Sequence, residues 1–322
     1  MSTRQVITRR WVSEYAGLIL VLAVMLVFFG LRSEHFFSRL TLSTLVNQIP
    51  ALTVVAVGMT FALIIGGIDL SVGSVMAFSG ALLGIAMVDW GLPIGAAMLL
   101  GIAAGLACGL VNGLVVVRWS VPSFIVTLGM LEIARGGAYL VTGSETKYIG
   151  SSIASLGAPL PALGLSPACV LALGTVAAGQ VVLSRTALGR HMIAIGANEE
   201  SARLSGISIR HVKMTVFGTV GALAGLGGLF QCARLSSADP NAGFGMELSA
   251  IAAVVIGGTS LMGGRGSIVK TFLGVLIIAV LQAGLMHIGA SEPTKRVVTG
   301  TVIVIAVIAD AYRRRSRSGD SG

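Results

Sequence analysis

Long apolar blocks separated by short polar turns recur from one end of this sequence to the other. Blocks able to cross about 30 Å of hydrocarbon as helices lie near residues 16–31, 45–66, 72–90, 93–117 and 122–142, then near 167–184, 214–232, 249–262, 268–288 and 297–311. The pattern predicts an all-α integral membrane protein of about ten transmembrane helices. One membrane domain over 16–311 follows, with tails at 1–15 and 312–322. The eighth block is short and holds GlyGly pairs, so a broken or re-entrant helix is expected there.

The longest polar interruption near the middle, at 188–213, reads LGRHMIAIGANEESARLSGISIRHVK. Asn198 is a good N-cap, Glu199 and Glu200 put negative charge on the first turn, Arg203 lies near the far end, and Gly206 can stop the helix. A surface helix of about two turns is expected. Between two membrane-buried halves it is either a handle for a partner or an ordinary inter-helix loop.

Composition narrows the class. The chain has 322 residues, 55% hydrophobic and 11% charged, with 44 glycines and a mean hydropathy of +0.92. No soluble globular domain has that balance. The formal charge of +9 does not call for nucleic acid, because inner loops of a membrane chain carry excess Lys and Arg. With both termini cytoplasmic, about fifteen of the 22 Lys and Arg fall inside and about six outside. That orientation makes 185–213 a cytoplasmic loop and 143–166 the main external surface. The basic run at 313–317 orients the chain and can touch anionic lipid head groups. Arginines at 4, 9 and 10 before the first apolar block superficially resemble a signal peptide, but no small-residue cleavage site follows and an uncleaved span is expected. Cys108, Cys169 and Cys232 stand singly in apolar segments, which indicates neither a disulfide framework nor a metal site.

The two halves echo one another. IIGGIDLSVGS from Ile64 to Ser74 and VIGGTSLMGGRGS from Val255 to Ser267 each close one block with an apolar pair plus GlyGly and open the next through a glycine-rich turn. Both run outside to inside in this topology, which implies a parallel repeat about an axis along the membrane normal. Asp69 lies inside the first echo. An ionisable group at membrane depth faces protein or a water-filled path, so Asp69 either caps a helix beginning at Leu70 or Ser71 or lines a pathway. Glu132 and Arg135, three apart in the fifth block, share a helix face and can neutralise each other. Ser71, Asn112, Thr127 and Thr259, with Asn47, Gln48 and Gln282, offer uncharged hydrogen bonds suited to a polyhydroxylated solute or to helix–helix contacts. The stripes Gly101, Gly105, Gly109 and Gly221, Gly225 are packing positions.

Absent motifs matter as well. No GxxxxGK[ST] phosphate loop occurs, so ATP is not hydrolysed by this chain. Four scattered histidines and no positioned nucleophile leave no catalytic residue to name. At this point four blocks resemble one family: GMTFALIIGGIDLSVGS at 58–74, VPSFIVTLGM at 121–130, ANEESARLSGI at 197–207 and AIAAVVIGGTSLMGGRGS at 250–267. In that order they are similar to the membrane permease subunits of ribose-type (ribose, xylose, arabinose, galactoside) bacterial ABC importers, over roughly 45–310.

The resemblance implies a vitamin B12-importer-like permease fold in the bacterial inner membrane. It implies a second permease copy forming a homodimer, a cytoplasmic ABC ATPase with tandem nucleotide-binding domains, and a periplasmic or lipid-anchored sugar-binding protein. ATP is then used by the partner, and this chain binds no cofactor and no metal. Asn198, Glu199, Glu200, Ala202, Arg203 and Gly206 fall on the coupling signature, whose common form is Glu-Ala-Ala followed by a glycine; Ser201 replaces the first alanine here. Asp69, Ser71, Asn112, Glu132, Arg135 and Thr259 are the candidate pathway residues. The competing reading is a secondary carrier driven by an ion gradient, with Asp69 or Glu132 as its proton site, and it leaves the handle without a role.

Overall fold

A computed structural model describes residues 3–160 and 164–318, with side-chain surroundings for 15–160 and 164–308. Side chains of most of the N-terminal tail and of the 313–317 run, and loop residues 161–163, lie outside the described residues. The order is α1 (Thr3–Arg32), α2 (Arg39–Ile64), α3 (Val72–Val88), α4 (Ile94–Trp119), α5 (Ser123–Thr142), β1 (Lys147–Tyr148), α6 (Ser151–Gly157) and α7 (Pro167–Arg185). Then come α8 (Ala187–Ala197), α9 (Glu199–Leu204), α10 (Ile209–Leu235), β2 (Ser237–Ala238), α11 (Met246–Ile256), α12 (Ile268–His287) and α13 (Glu292–Ser318). Each of the ten apolar blocks falls on a helix. Among the described residues seven are long and apolar enough to cross a membrane, while α3 and α11 are apolar but shorter. The helix bearing the first block begins at Thr3 and so runs through the N-terminal tail.

α2 is the axis of the bundle, with nearly all of its residues from Ile49 onward buried, and α7, α10, α11 and α12 pack around it. Lipid offers no hydrophobic drive for helices to associate, so close approach has to come from small residues. The two glycine stripes supply it by facing one another. A Cβ at Gly105 would lie 2.3 Å from the Gly221 carbonyl oxygen, one at Gly221 2.1 Å from that of Gly105, and one at Gly109 2.2 Å from that of Phe217. α4 and α10 therefore touch backbone to backbone. Thr60 on α2 and Thr271 on α12 add a buried hydroxyl pair at 2.8 Å.

Helix ends follow local rules. Ser38, Ser166 and Ser267 accept backbone N–H groups at the starts of α2, α7 and α12, at 3.2, 3.2 and 3.4 Å. α2 closes when Gly66 N–H reaches Leu63 O at 2.9 Å and Gly67 N–H reaches Ala62 O at 2.9 Å. α11 closes the same way, Gly258 to Val255 at 2.8 Å and Thr259 to Val254 at 3.2 Å. In both, the glycine bonded to the third residue back is left-handed, φ 75° at Gly66 and 81° at Gly258. The echo is thus structural, but its register moves by one residue: Gly66 matches Gly258, not Gly257.

The break in the eighth block is longer than expected and begins earlier. α11 has only 11 residues, and the chain before it, 237–245, carries no helix. Lys147 pairs with Ala238 and Tyr148 with Ser237 in the two-stranded ladder; from there the chain runs back along α3. Ala238 packs on Gly84, near the far end of α3, and Gly243 packs on Gly73, in its first turn. The eleven steps of α3 from Gly73 to Gly84 span about 16 Å at 1.5 Å each, so non-helical backbone runs beside most of this apolar helix. It does so where glycine leaves room. A Cβ on Gly73 would sit 2.4 Å from Gly243 O and 2.4 Å from the Glu247 carboxylate.

Candidate functional site

The polar interruption folds into two helices. α9 is the expected one, slightly shorter than two turns: Asn198 Oδ1 accepts the Ser201 N–H at 2.8 Å. Gly206, at φ 80°, ends it by bonding Arg203 O at 3.0 Å while Ile207 N–H reaches Ala202 O at 3.1 Å. Ala202 is buried beneath it. Glu200 and Arg203 form an ion pair on its surface, and this hydrogen-bonded carboxylate pushes the guanidinium up from its ordinary value. Glu199 instead receives Lys213 Nζ at 2.7 and 2.9 Å, which ties α9 to the first turns of α10. Leu204 is 80% exposed at the tip. Beside it opens a cavity of about 490 Å³ between α8 and α10, lined by Leu188, His191, Ile207 and His211 among others. Replacing Asn198 with alanine is expected to leave the Ser201 N–H without its partner and to cost about 1 kcal/mol of local helix stability; faster amide exchange over 199–204 measures it.

α8 was hidden in the sequence by its polar neighbours. Its buried face is Gly189, Met192 and Ile195, a spacing that was legible as one side of a helix. Gly196, on its last turn, sits against both echo turns. A Cβ there would lie 1.8 Å from Ile64 O and 2.3 Å from Gly264 N, the two atoms joined by a 2.8 Å hydrogen bond. Gly263 in turn packs on the Gly196 backbone and on Gly66 N. The end of α2, the turn after α11 and the end of α8 are one backbone-to-backbone junction.

Three candidate pathway residues form one buried cluster. Asp69, 1% exposed, accepts the Ser71 N–H at 2.9 Å and the Ser71 hydroxyl at 2.6 Å, and Asn112 Nδ2 donates to Ser71 Oγ at 3.1 Å. The helix begins at Val72, later than expected, with Ser71 at its N-cap position and no side-chain cap bond. Asp69 holds the turn that enters it. Ser123 and Thr127 on α5 accept the N–H groups of Ile68 and Leu70 at 2.9 and 3.1 Å, so the irregular backbone of 65–71 is satisfied by a neighbouring helix. Asn47 joins Ser166 in the same way, at 2.9 Å. Thr259 is fully buried in the second echo, away from this cluster, and its hydroxyl is unbonded.

Among the described residues Glu132 and Arg135 form no direct ion pair. Arg135, 8% exposed, donates from Nη1 to Pro240 O at 2.6 Å and to Ala242 O at 3.0 Å, and its guanidinium lies 5.4 Å from the centre of the Phe244 ring. One turn further on, Tyr139 Oη donates to Asn241 Oδ1 at 2.6 Å. Two backbone carbonyls of a non-helical segment are a stronger claim on a buried guanidinium than one outward carboxylate. Glu132 points from the open side of α5, beside Gly129 and Gly136 with nothing within 4 Å of a Cβ on either. Sequence reasoning missed Tyr139, Asn241, Phe244 and Glu247; the Asp-Pro-Asn turn signal before the eighth block was the available clue.

The comparisons with known proteins agree with one another. The sequence model of the family described as "Branched-chain amino acid transport system / permease component" matches residues 41–307. The ribose import permease protein of Escherichia coli K12 is 38% identical over 320 residues, covering 96% of this chain and 97% of that protein. The ribose import permease protein of Bacillus subtilis 168 is 38% identical over 308 residues, 93% of each chain. The fructose import permease protein of Rhizobium meliloti is 32% identical over 317 residues, covering 92% and 85% respectively. With its apolar helices long enough to cross a membrane many times over, the chain belongs to this permease family, as a ribose-type ABC sugar-importer permease.

Proposed function

We propose that this chain forms the translocation pathway of an ATP-driven importer for a monosaccharide or related polyol, and that it couples that pathway to a separate ATPase. The observation that carries the reading is the α8–α9 projection, whose exposed tip ends in Leu204 and whose root at Gly196 touches the glycine turns of both halves. A push on the tip is delivered to α10 through Lys213 and to α2 and α11 through Gly196. Asn198, Glu199, Glu200, Arg203 and Gly206 are the surface gripped by the tandem nucleotide-binding domains, with Ala202 seating the helix from beneath. ATP binding closes those domains, and the differential affinity of ATP for the closed state drives alternating access.

In this reading ten helices cross the inner membrane in a B12-importer-like arrangement, with both termini and α9 cytoplasmic. A soluble or lipid-anchored sugar-binding protein delivers cargo at the face formed by β1, α6 and β2. The open side of α5, with Glu132 between Gly129 and Gly136, cannot rest in hydrocarbon. It therefore faces a second copy across the pathway. Asp69, Ser71 and Asn112 keep the α3 entry turn rigid beside that route, with Thr259 in the matching turn of the other half.

The test combines Glu200→Ala with Gly206→Val in proteoliposomes containing the ATPase and binding protein. Uptake and cargo-stimulated ATP hydrolysis are expected to fall to background while insertion is unchanged. Wild-type uptake that persisted after ATP depletion and stopped with an uncoupler would count for the ion-gradient carrier instead.

A further inference from the structure

The segment 237–245 presents a face that neither lipid nor the bundle interior accounts for. Its backbone is non-helical at the depth of Gly73, and such backbone is tolerated only when buried in protein or lining water. Asn241 and Phe244 on it are exposed, Phe244 by 69%. It is also built rather than loose. Asp239 Oδ1 accepts the Asn241 N–H at 2.9 Å, Arg135 bonds two of its carbonyls, and Tyr139 fixes Asn241. The two short helices α3 and α11 both begin here: Gly73 in the first turn of α3 meets Gly243, three residues before α11, and the Glu247 carboxylate of the first turn of α11. Broken helices converging at membrane depth mark binding sites in transporters.

We infer that Tyr139, Asn241 and Phe244, with Glu132 two turns away on α5, form a contact site for a polyhydroxylated solute on the wall of the transport route. The proposal rests on the importer reading and names the residues that meet the cargo. A sugar ring offers a C–H face and a hydroxyl rim. Phe244 supplies a flat apolar platform whose other face is braced by a guanidinium, and Tyr139 with Asn241 supplies donors and acceptors at its edge. Arg135 is committed to carbonyls and is not free to bind cargo.

Two arms test it on the full-length permease. In the first, Asn241→Cys and Phe244→Cys are reconstituted alone and exposed to a charged, membrane-impermeant methanethiosulfonate, with Leu106→Cys, mid-way along α4 and 39% exposed, as the apolar reference. The native Cys108, Cys169 and Cys232 are buried and give the background. Labelling at 241 and 244 at least roughly tenfold faster than at 106 is expected for a water-lined wall, since only the thiolate reacts and it forms in water. Labelling no faster than at 106 overturns the site and leaves the coupling reading untouched, because this arm needs neither ATP nor partner. In the second arm, uptake of labelled D-ribose, D-fructose and L-arabinose by the assembled importer is compared for wild type, Phe244→Trp and Phe244→Leu. Tryptophan retaining uptake while leucine loses it supports stacking on a ring. Leucine matching wild type overturns it, and an importer inactive in the wild type would instead strike at the function itself.

Discussion

Leucine at Gly105 or at Gly221 is expected to prevent α4 and α10 from assembling. Each added Cβ would lie 2.1–2.3 Å from a carbonyl oxygen of the opposite helix, against an ordinary contact of about 3.4 Å or more. The obstacle is backbone on both sides, so no rotamer relieves it and the helices must part by about 1 Å or more. Overpacking a core costs about 1–3 kcal/mol. Here the cost lies at or above the top of that range, since parting the seam also loosens Gly101, Gly109 and Gly225 along it. The measurement is recovery of monodisperse protein from detergent and the temperature at which it aggregates. Gly174→Leu on α7, where nothing lies within 4 Å of a Cβ, is expected to behave as wild type. Equal behaviour of the three variants would remove the seam from the account of the fold.

Valine at Gly196 is the second large effect, and it acts on function more than on folding. Its Cβ would fall between Ile64 O and Gly264 N, breaking the hydrogen bond that joins the two echo turns and lifting α8 from them. α9 keeps its Asn198 cap and its Gly206 stop, so the surface offered to an ATPase is intact. The expected result is basal ATP hydrolysis near wild type with uptake reduced to background, read in the same proteoliposomes. A valine variant with a normal ratio of uptake to hydrolysis would show that force does not enter through this junction. The Glu199–Lys213 tie is the weaker route, because an exposed ion pair contributes about 1 kcal/mol at most.

What could be read in advance follows from how local each signal is. The ten apolar blocks, the Asn198 start and Gly206 stop of α9, and the glycine stripes all depend on residues within a turn or two of each other. The stripes could be recognised as packing positions from their four-residue spacing alone. Their partners could not, because nothing local says that Gly105 faces Gly221. α8 escaped notice since its buried positions are interleaved with Arg190 and His191. Arg135 was paired with Glu132 because they are three residues apart, whereas its actual acceptors, Pro240 and Ala242, lie a hundred residues downstream and exist only once 237–245 has been laid against α3.

The sequence alone determined that this chain crosses a membrane repeatedly and that it carries one short polar helix between its halves. Those properties are set by transfer free energy and helix capping, both of which act along the chain. Tertiary structure alone decided which glycines meet, where the eighth block breaks, and that Glu132 stays open while Arg135 is consumed by backbone. In hydrocarbon every backbone polar group must find a partner within the protein, and for irregular segments that partner lies on a distant helix whose position only the assembled bundle defines.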